Sequence, residues 1–294
     1  MHDRTTLALI AAAATGIQVG AAIVATRYVA GDISPTSLAF MRYAIGVACL
    51  IPALAMARRV RFARADIMPI ALLGIGQFGL LIALLNYGLK TVPAARGALI
   101  FATFPFLTLL FAAIFGHEHI TFRKFFGIFA TVFGVFLALS EKILNGGSIL
   151  GTAGFAGELA ILASAATGAI CSVLYRPYLN RYPTLPVSAF AMAAAAAALL
   201  VPAALGDLFI APAQLSASAW AAIVFIGISS GSFYVVWLWA LKTIAATRVT
   251  VFLALSPITA AVLGVTLLGE PVTAMMIAGV VCVAAGLWVA GGEA

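Results

Sequence analysis

The sequence contains one unusual stretch twice. The string "LKTVPAARGALIFATFPF" begins at Leu89, and "LKTIAATRVTVFLALSPI" begins at Leu241, which is 241 − 89 = 152 positions later. The same register continues for fifty residues without a gap, and twelve of the fifty pairs are identical. An internal repeat of this kind predicts a chain folded as two related halves.

The composition indicates the solvent in which these halves fold. Of the 294 residues, 64% are apolar and only 9% are charged, and the mean hydropathy is +1.17. A soluble globule of this length needs far more polar surface. The chain is therefore predicted to be a membrane protein.

Ten apolar stretches have the length that a helix needs to cross a hydrocarbon core about 30 Å thick. None shows the strict alternation of a barrel strand, so all are predicted to be helical. The predicted fold is an all-α integral membrane protein with ten transmembrane helices. The spans run near 5–27, 34–57, 67–89, 93–116, 122–140, 153–175, 184–203, 217–241, 246–268 and 271–290.

The repeat divides these spans into two sets of five, in residues 1–142 and 153–294. An odd number of spans makes the second set cross the membrane in the opposite sense, so the two repeats are predicted to be inverted. Inverted repeats are the architecture of alternating-access carriers. A channel, or a duplication kept only for fold stability, is the competing interpretation, and together the two halves are predicted to form one transport domain.

The distribution of cations predicts the orientation. Eleven of the sixteen Lys and Arg residues fall on the side shared by both termini, including a cluster from Arg58 to Arg64. The positive-inside rule therefore predicts cytoplasmic termini. The other side holds Arg27, Arg42, Lys90, Arg96 and Lys142. Because the basic residues are scattered over short loops, the net charge of +7 does not indicate nucleic-acid binding.

The doubled features resemble the EamA-type members of the drug/metabolite transporter superfamily. Each half has a proline midway along its fourth span, a Glu at the end of that span and glycines in the next. These pairs are Pro105 and Pro257, Glu118 and Glu270, Gly127 and Gly279, and Gly134 and Gly286. Within the superfamily the chain resembles the YddG-type bacterial exporters of aromatic and some other amino acids.

The resemblance implies a secondary transporter in the bacterial inner membrane. It is also part of the reason to expect a central cavity lined by spans 1, 3, 4, 6, 8 and 9. Amino acids are the favoured substrates, and export is implied by the resemblance alone. We expect a small-molecule substrate and the lipid bilayer as partners, without an obligatory protein partner. The two glutamates are expected to stabilise the N-terminus of the helix that follows each of them.

Pro105 and Pro257 are candidate hinges. Proline has no N–H, so the carbonyls of Phe101 and Leu253 lose their helical hydrogen-bond partners. Within a bilayer such a carbonyl needs another partner. A discontinuity is therefore predicted in each of these spans, serving as a hinge, a packing kink or a substrate-facing carbonyl.

Polar residues deep inside apolar spans are candidates for substrate binding, because they are costly in a bilayer and mark transport pathways. Two pairs follow the repeat: 15 + 152 = 167 and 77 + 152 = 229. The candidates are Thr15, Gln18, Gln77, Ser164, Thr167, Ser229 and Ser232. Each hydroxyl also has the simpler interpretation of a bond to its own helix.

Aromatic and acidic residues complete the candidate site. Tyr234 and Trp237 lie three apart on the eighth span and predict an aromatic wall, which Phe101 could join. Trp239 is interpreted as part of an interfacial belt. Glu158, the one acid predicted well inside a span, is a candidate for a coupling proton or for holding a substrate ammonium.

Two short stretches match enzyme motifs in their residues but not in their structural context. "GISSG" at 227–231 fits the nucleophile elbow, but the histidines at positions 2, 117 and 119 are all predicted near the membrane surface, away from Ser229. "GIGQFG" at 74–79 lies in a membrane span instead of a strand–turn–helix unit. No metal, cofactor or P-loop motif occurs. The sequence predicts a transporter and not an enzyme, with an intramembrane serine hydrolase or a small-solute channel as alternatives.

Overall fold

A computed structural model describes residues 2–57, 60–116, 121–144, 155–244, 249 and 252–291. The described residues form helices joined by short turns. Twelve α-helices are assigned among them. They are α1 His2–Val29, α2 Pro35–Met56, α3 Arg64–Gly74, α4 Leu81–Gly88, α5 Ala94–Phe101, α6 Phe104–Ile114, α7 Phe122–Leu144, α8 Ala156–Arg181, α9 Thr184–Leu205, α10 Ala217–Thr243, α11 Leu255–Leu268 and α12 Ala274–Gly291.

Seven helical segments of the described residues are long and apolar enough to cross a bilayer. They correspond to the predicted spans 1 to 4 and 6 to 8. The predicted spans 5, 9 and 10 correspond to shorter apolar helices at Phe125–Ser140, Leu255–Leu268 and Ala274–Gly286. The seven long segments are Arg4–Val29, Pro35–Met56, Arg64–Gly88, Ala94–Ile114, Ala156–Arg181, Thr184–Leu205 and Ala217–Ala240.

Two spans in the described part of the first half are interrupted near their middle. In the third, a π-helical turn at Ile75–Leu80 separates α3 from α4. In the fourth, α5 ends at Phe101 and α6 starts at Phe104, which puts Pro105 in the first turn of a new helix. A proline causes no loss of hydrogen bonding there, because the first N–H groups of a helix have no intrahelical partner. The predicted discontinuity at Pro105 is confirmed.

The second copy of this proline lies in a comparable place. A 3₁₀ turn at Phe252–Ala254 precedes α11, and Pro257 is the third residue of that helix. Its missing N–H therefore also falls in a first turn. The structure describes a break at both prolines, and a hinge motion at either one stays a prediction.

Helices from the two halves of the chain pack against one another. Helix α1 contacts α10 and α11, while α8 contacts α4, α5 and α6. Helix α2 lies against both α9 and α10. Helices α1, α2, α8 and α10 thus each contact the other half of the chain.

Helices α7 and α12 meet through glycines. A side chain on Gly134 would meet the carbonyl oxygen of Gly279, and one on Gly286 would meet the carbonyl oxygen of Gly127. Glycine is needed at these positions because the two backbones are in direct contact, as is common between membrane helices.

Two polar clusters tie loops together at the helix ends. Asp207, after α9, accepts hydrogen bonds from the hydroxyls of Ser34 and Ser37 at the start of α2. Asp66, near the start of α3, accepts a hydrogen bond from Tyr182 and pairs with Arg181 at 3.2 Å. Each cluster joins a helix end of one half to a helix end, or the turn beside it, of the other half.

Candidate functional site

A cavity lies between helices from both halves of the chain. It contains about 770 Å³ of space not filled by atoms, part of which is open to solvent. Its lining is mostly apolar and aromatic with a small number of polar groups, as is usual for small-molecule sites. The lining residues come from α1, α2, the third and fourth spans, α10 and the turn before α11.

Six of the residues predicted from the sequence line this cavity. Helix α1 contributes two, the third and fourth spans one each, and α10 two. They are Thr15, Gln18, Gln77, Phe101, Tyr234 and Trp237. The structure thus brings together both glutamines and the predicted aromatic residues of α10.

The other predicted residues lie outside the lining. Ser164 and Thr167 on α8 donate hydrogen bonds to carbonyls of their own helix, Ile161 and Ala163 respectively. Ser232 is exposed on the outer surface of α10. Glu158 is buried in the first turn of α8, closer to the helix start than the sequence suggested.

Ser229 lies outside the cavity lining and contacts one of the lining residues. Its hydroxyl accepts a hydrogen bond from Nε2 of Gln18 at 3.0 Å and donates one to the carbonyl of Ile226 at 3.3 Å. The amide of Gln18 is thereby held in a fixed orientation at the wall. Ser229 positions a lining residue without itself being part of the lining.

Gln77 is placed differently. It belongs to the π-helical turn, a feature often found at functional sites. Its Oε1 atom is buried and has no hydrogen-bond partner among the described residues. A buried acceptor left in this state is costly unless a ligand or water satisfies it.

Arg42 lines the cavity, although the sequence predicts only a topology role for it. It was assigned to the outer side as one of five topology cations, but it lies inside α2 with only 9% of its surface exposed and lines the cavity. Its Nε donates a hydrogen bond to Oγ of Ser230 at 2.7 Å. A cation seven residues inside an apolar helix was the signal that could have revealed it.

Aromatic rings form one wall. Tyr43 packs edge-on against Phe78 with ring centroids 5.0 Å apart, and Phe78 packs in the same way against Tyr234 at 4.6 Å. Phe101 and Phe104 form a tilted pair at 5.7 Å. Such a wall can contact a flat or apolar group.

A network of polar groups around Arg27 and Glu270 joins the end of α1 to two turns at the same end of the molecule. Arg27 Nε lies 3.2 Å from Glu270 Oε1, and its Nη1 donates hydrogen bonds to the carbonyls of Leu89 and Lys90. The other oxygen of Glu270 accepts the N–H of Ala94 at 2.8 Å. Glu270 was expected to stabilise the helix that follows it, and this is wrong: it caps α5, 176 residues away in the sequence. Glu118 lies outside the described residues.

Comparison with known proteins identifies the family. Residues 6–140 and 155–292 match the EamA-like transporter family. The chain belongs to this family. It is a transporter and not an enzyme, so the hydrolase alternative at Ser229 falls, and its apolar helices make it a multi-pass membrane protein.

EamA-family relatives span most of the chain. "Uncharacterized transporter YyaM" of Bacillus subtilis (strain 168) is 26% identical over 277 residues, covering 93% of this chain and 90% of that protein. An "uncharacterized transporter" of Archaeoglobus fulgidus is 27% identical, covering 92% and 93%. A "probable terminal-alkyne amino-acid exporter" of Streptantibioticus cattleyicolor is 29% identical, covering 72% and 69%.

One solved crystal structure has the same fold. It superimposes with a TM-score of 0.68 at 22% sequence identity, covering 95% of this chain and 94% of the other. At this identity the similarity concerns the fold alone.

Proposed function

We propose that this EamA-family protein is a secondary transporter that exports small metabolites, with amino acids, including aromatic ones, as the favoured substrates. The observation that carries the proposal is the cavity, whose lining comes from both halves and combines amide groups with an aromatic wall. A relative named as a probable terminal-alkyne amino-acid exporter supports the substrate class.

The mechanism proposed is alternating access between two inverted five-helix repeats, residues 1–142 and 153–294. The two glycine contacts between α7 and α12 support it. Since 127 + 152 = 279 and 134 + 152 = 286, each glycine has an equivalent in the other half. Replacing every residue by its equivalent turns the contact Gly134–Gly279 into the contact Gly286–Gly127. Reciprocal contacts of this kind are the signature of a two-fold relation.

The packing of the central helices gives further support. Helix α1 lies on α11, and the corresponding α8 lies on α6 and α5. The two segments matched by the family correspond closely to the two proposed repeats. Pro105 and Pro257 would then serve as equivalent hinges beside the cavity.

We place the protein in the bacterial inner membrane with both termini in the cytoplasm, on the basis of the cation distribution. In this orientation the Arg27–Glu270 network lies at the outer end of the helices. It joins the end of α1 to the turns before α5 and α12. The network would then act as an outer closure, released when the cavity opens outward.

A small-solute channel is the competing function. Counterflow separates the two, because a carrier exchanges internal for external substrate while a pore only dissipates a gradient. Purified protein is reconstituted in liposomes preloaded with one unlabelled amino acid, and uptake of labelled phenylalanine, methionine and threonine is followed. We expect transient accumulation that requires a transported internal amino acid.

Variants connect this activity with the cavity. Gln77→Ala should reduce counterflow, whereas Ser232→Ala, at an exposed position on α10, should not. Uptake without counterflow would indicate a pore. Absence of accumulation for every amino acid, in a well-folded preparation, would contradict the amino-acid assignment.

A further inference from the structure

We propose that the cavity recognises its substrate through a carboxylate bound by Arg42, and that it accepts aromatic monocarboxylates lacking an amino group. The inference rests on the proposed transport function and specifies the substrate class of the same cavity. It would extend the substrates from amino acids to simple aromatic acids.

The guanidinium of Arg42 lies deep within the protein. Arg42 is seven residues from Pro35, the first residue of α2, which corresponds to about 10 Å along a helix. It is buried and borders the cavity. A cation this deep in an apolar protein is costly unless an opposite charge accompanies it.

Arg42 has no acidic counter-charge in the described part of the chain. The two ion pairs found there are Arg27–Glu270 and Arg181–Asp66, and neither involves Arg42. The described residues that line the cavity include no Asp or Glu. A negative charge on the substrate would supply what the protein lacks.

The N–H donors of Arg42 suit a carboxylate. Nε of Arg42 is occupied by Ser230, which fixes one edge of the guanidinium. Among the described residues, its two terminal nitrogens donate no hydrogen bond. Two neighbouring N–H groups in a planar fork suit the two oxygens of a carboxylate.

The size of the charge favours a carboxylate over a phosphate. Arg42 provides one positive charge among the described lining residues, which balances a monoanion and would leave a phosphate dianion half compensated. Tyr43 lies beside the guanidinium, with its ring centroid 5.8 Å from Cζ, and leads into the rings of Phe78 and Tyr234. A carboxylate on Arg42 thus has an aromatic wall next to it for its apolar part.

The amino group of an amino acid finds a weaker partner. Oε1 of Gln77 is a neutral acceptor, and the described lining has no carboxylate to pair with an ammonium. A neutral hydrogen bond contributes much less than a charge-assisted one. Removing the amino group should therefore cost little affinity, while removing the carboxylate should cost most of it.

The first test compares three ligands on the purified wild-type protein. Binding of phenylalanine, 3-phenylpropionate and phenethylamine is measured by the shift in thermal unfolding and by intrinsic tryptophan fluorescence. We expect phenylalanine and 3-phenylpropionate to bind with similar affinity and phenethylamine to bind at least tenfold more weakly. Phenethylamine binding as tightly as 3-phenylpropionate would overturn the proposal.

The second test changes the arginine. Arg42→Gln should lower the affinity for 3-phenylpropionate at least tenfold, which corresponds to about 1.4 kcal/mol or more. Arg42→Lys keeps the charge but not the planar fork of N–H donors, so its affinity for 3-phenylpropionate should lie between those of wild type and Arg42→Gln. Arg176→Gln removes the same charge from an exposed position on α8 and is the matched control. Wild-type affinity in both Arg42 variants would overturn the proposal, and so would equal losses in Arg42→Gln and Arg176→Gln.

The design separates this inference from the proposed function. If Arg42→Gln does not fold, the comparison of wild type with Arg42→Lys and the ligand series decide the question. If no amino acid shows counterflow but 3-phenylpropionate binds through Arg42, the amino-acid assignment fails and the carboxylate site stands. If phenylalanine is exchanged but the Arg42 variants bind phenylalanine and 3-phenylpropionate as wild type does, the amino-acid assignment stands and the carboxylate site at Arg42 fails.

Discussion

Helices α2 and α9 are the second helices of the two family-matched segments, and they pack against each other. They differ sharply in chemistry. Helix α2 brings Arg42 and Tyr43 to the cavity, whereas α9 has no charged residue between Thr184 and Leu205 and contains the run Ala193–Ala198. The two helices thus have similar places in the fold, but only α2 provides groups that line the cavity.

Several features that occur in both halves belong to the frame: the glycines of α7 and α12 and the prolines of α6 and α11. Thr15, which also lines the cavity, and its counterpart Thr167 are each hydrogen-bonded to their own helix. The charged and aromatic groups of the cavity occur once. This difference suggests that repeated residues maintain the fold and that unrepeated ones select the substrate.

The largest expected effect is a loss of stability on substituting one of two glycines that lie 152 positions apart, Gly16 and Gly168. A side chain at Gly16 would strike the backbone carbonyl of Phe252, whereas one at Gly168 would meet side-chain atoms of Leu81 and Phe104 that can move. We expect Gly16→Ala to cost about 1–3 kcal/mol of stability and Gly168→Ala distinctly less. Thermal unfolding in detergent measures both. Gly31→Ala, which meets nothing within 4 Å, is the control, and equal effects of all three would contradict the contact geometry.

Unrepeated aromatic residues should affect transport more than stability. Trp237 is 7% exposed and lines the cavity, while Trp239 on the same helix is 37% exposed and does not. Trp237→Ala should reduce the counterflow rate roughly tenfold, equivalent to about 1.4 kcal/mol. Trp239→Ala should leave the rate near that of wild type. Similar losses in both variants would show that the ring acts through the fold and not through the cavity.

The Arg27–Glu270 network offers a test of closure. Glu270→Gln removes the ion pair and weakens the hold on the N–H of Ala94. We expect a membrane-impermeant thiol reagent, added outside, to modify Ala22→Cys in the cavity faster when Glu270→Gln is present. The native Cys49, Cys171 and Cys282 are replaced by Ser for this measurement. Asp32→Asn, an exposed acid in the turn after α1, is the control. Unchanged labelling would mean that this network does not control access.

The smallest effect concerns Asp207. Burial alone raises the pKa of this carboxyl, but hydrogen bonds from the side chains of Ser34 and Ser37 and from the N–H of Ser34 outweigh it, so its pKa is lowered. A lowered pKa in the folded state contributes stability above the unfolded value, near 3.9, and this contribution is lost as the pH falls through the folded pKa. The stability difference between wild type and Asp207→Asn should therefore become smaller as the pH falls from 6 to 3. Thermal unfolding across this range measures it, and a constant difference would contradict the pKa assignment.

Much of the fold could be predicted from the sequence because length and apolarity determine it. Apolar stretches of about twenty residues can only cross the bilayer as helices, and a proline inside one predicts where it breaks, as at Pro105. Gln18 and Gln77 were found because polar side chains are rare at such depth. Helical periodicity could also have separated Ser232 from the lining positions 230, 234 and 237, which share one face of α10.

The remaining features depend on tertiary contacts that local patterns do not contain. Arg42 could not be recognised from the repeat, because the position 152 residues later is Ala194, and a cation in this part of a span is also a topology signal. The partners of Glu270 lie in turns that the sequence separates by more than 170 residues, so its true cap at Ala94 could not be read from its neighbours. Tyr43, Phe78 and Phe104 have no distinguishing feature in a chain with 20 Phe and 7 Tyr.

The lone charge of Arg42 has an electrical consequence. A carrier holding a monocarboxylate against this guanidinium is locally neutral, whereas the empty cavity carries one positive charge within the low-dielectric core. With the membrane potential negative inside, exporting one net negative charge is favoured by about 2.3 kcal/mol per 100 mV. Aromatic acids could then be driven outward by the potential itself, without a coupled proton, while zwitterionic amino acids would follow their concentration gradient alone.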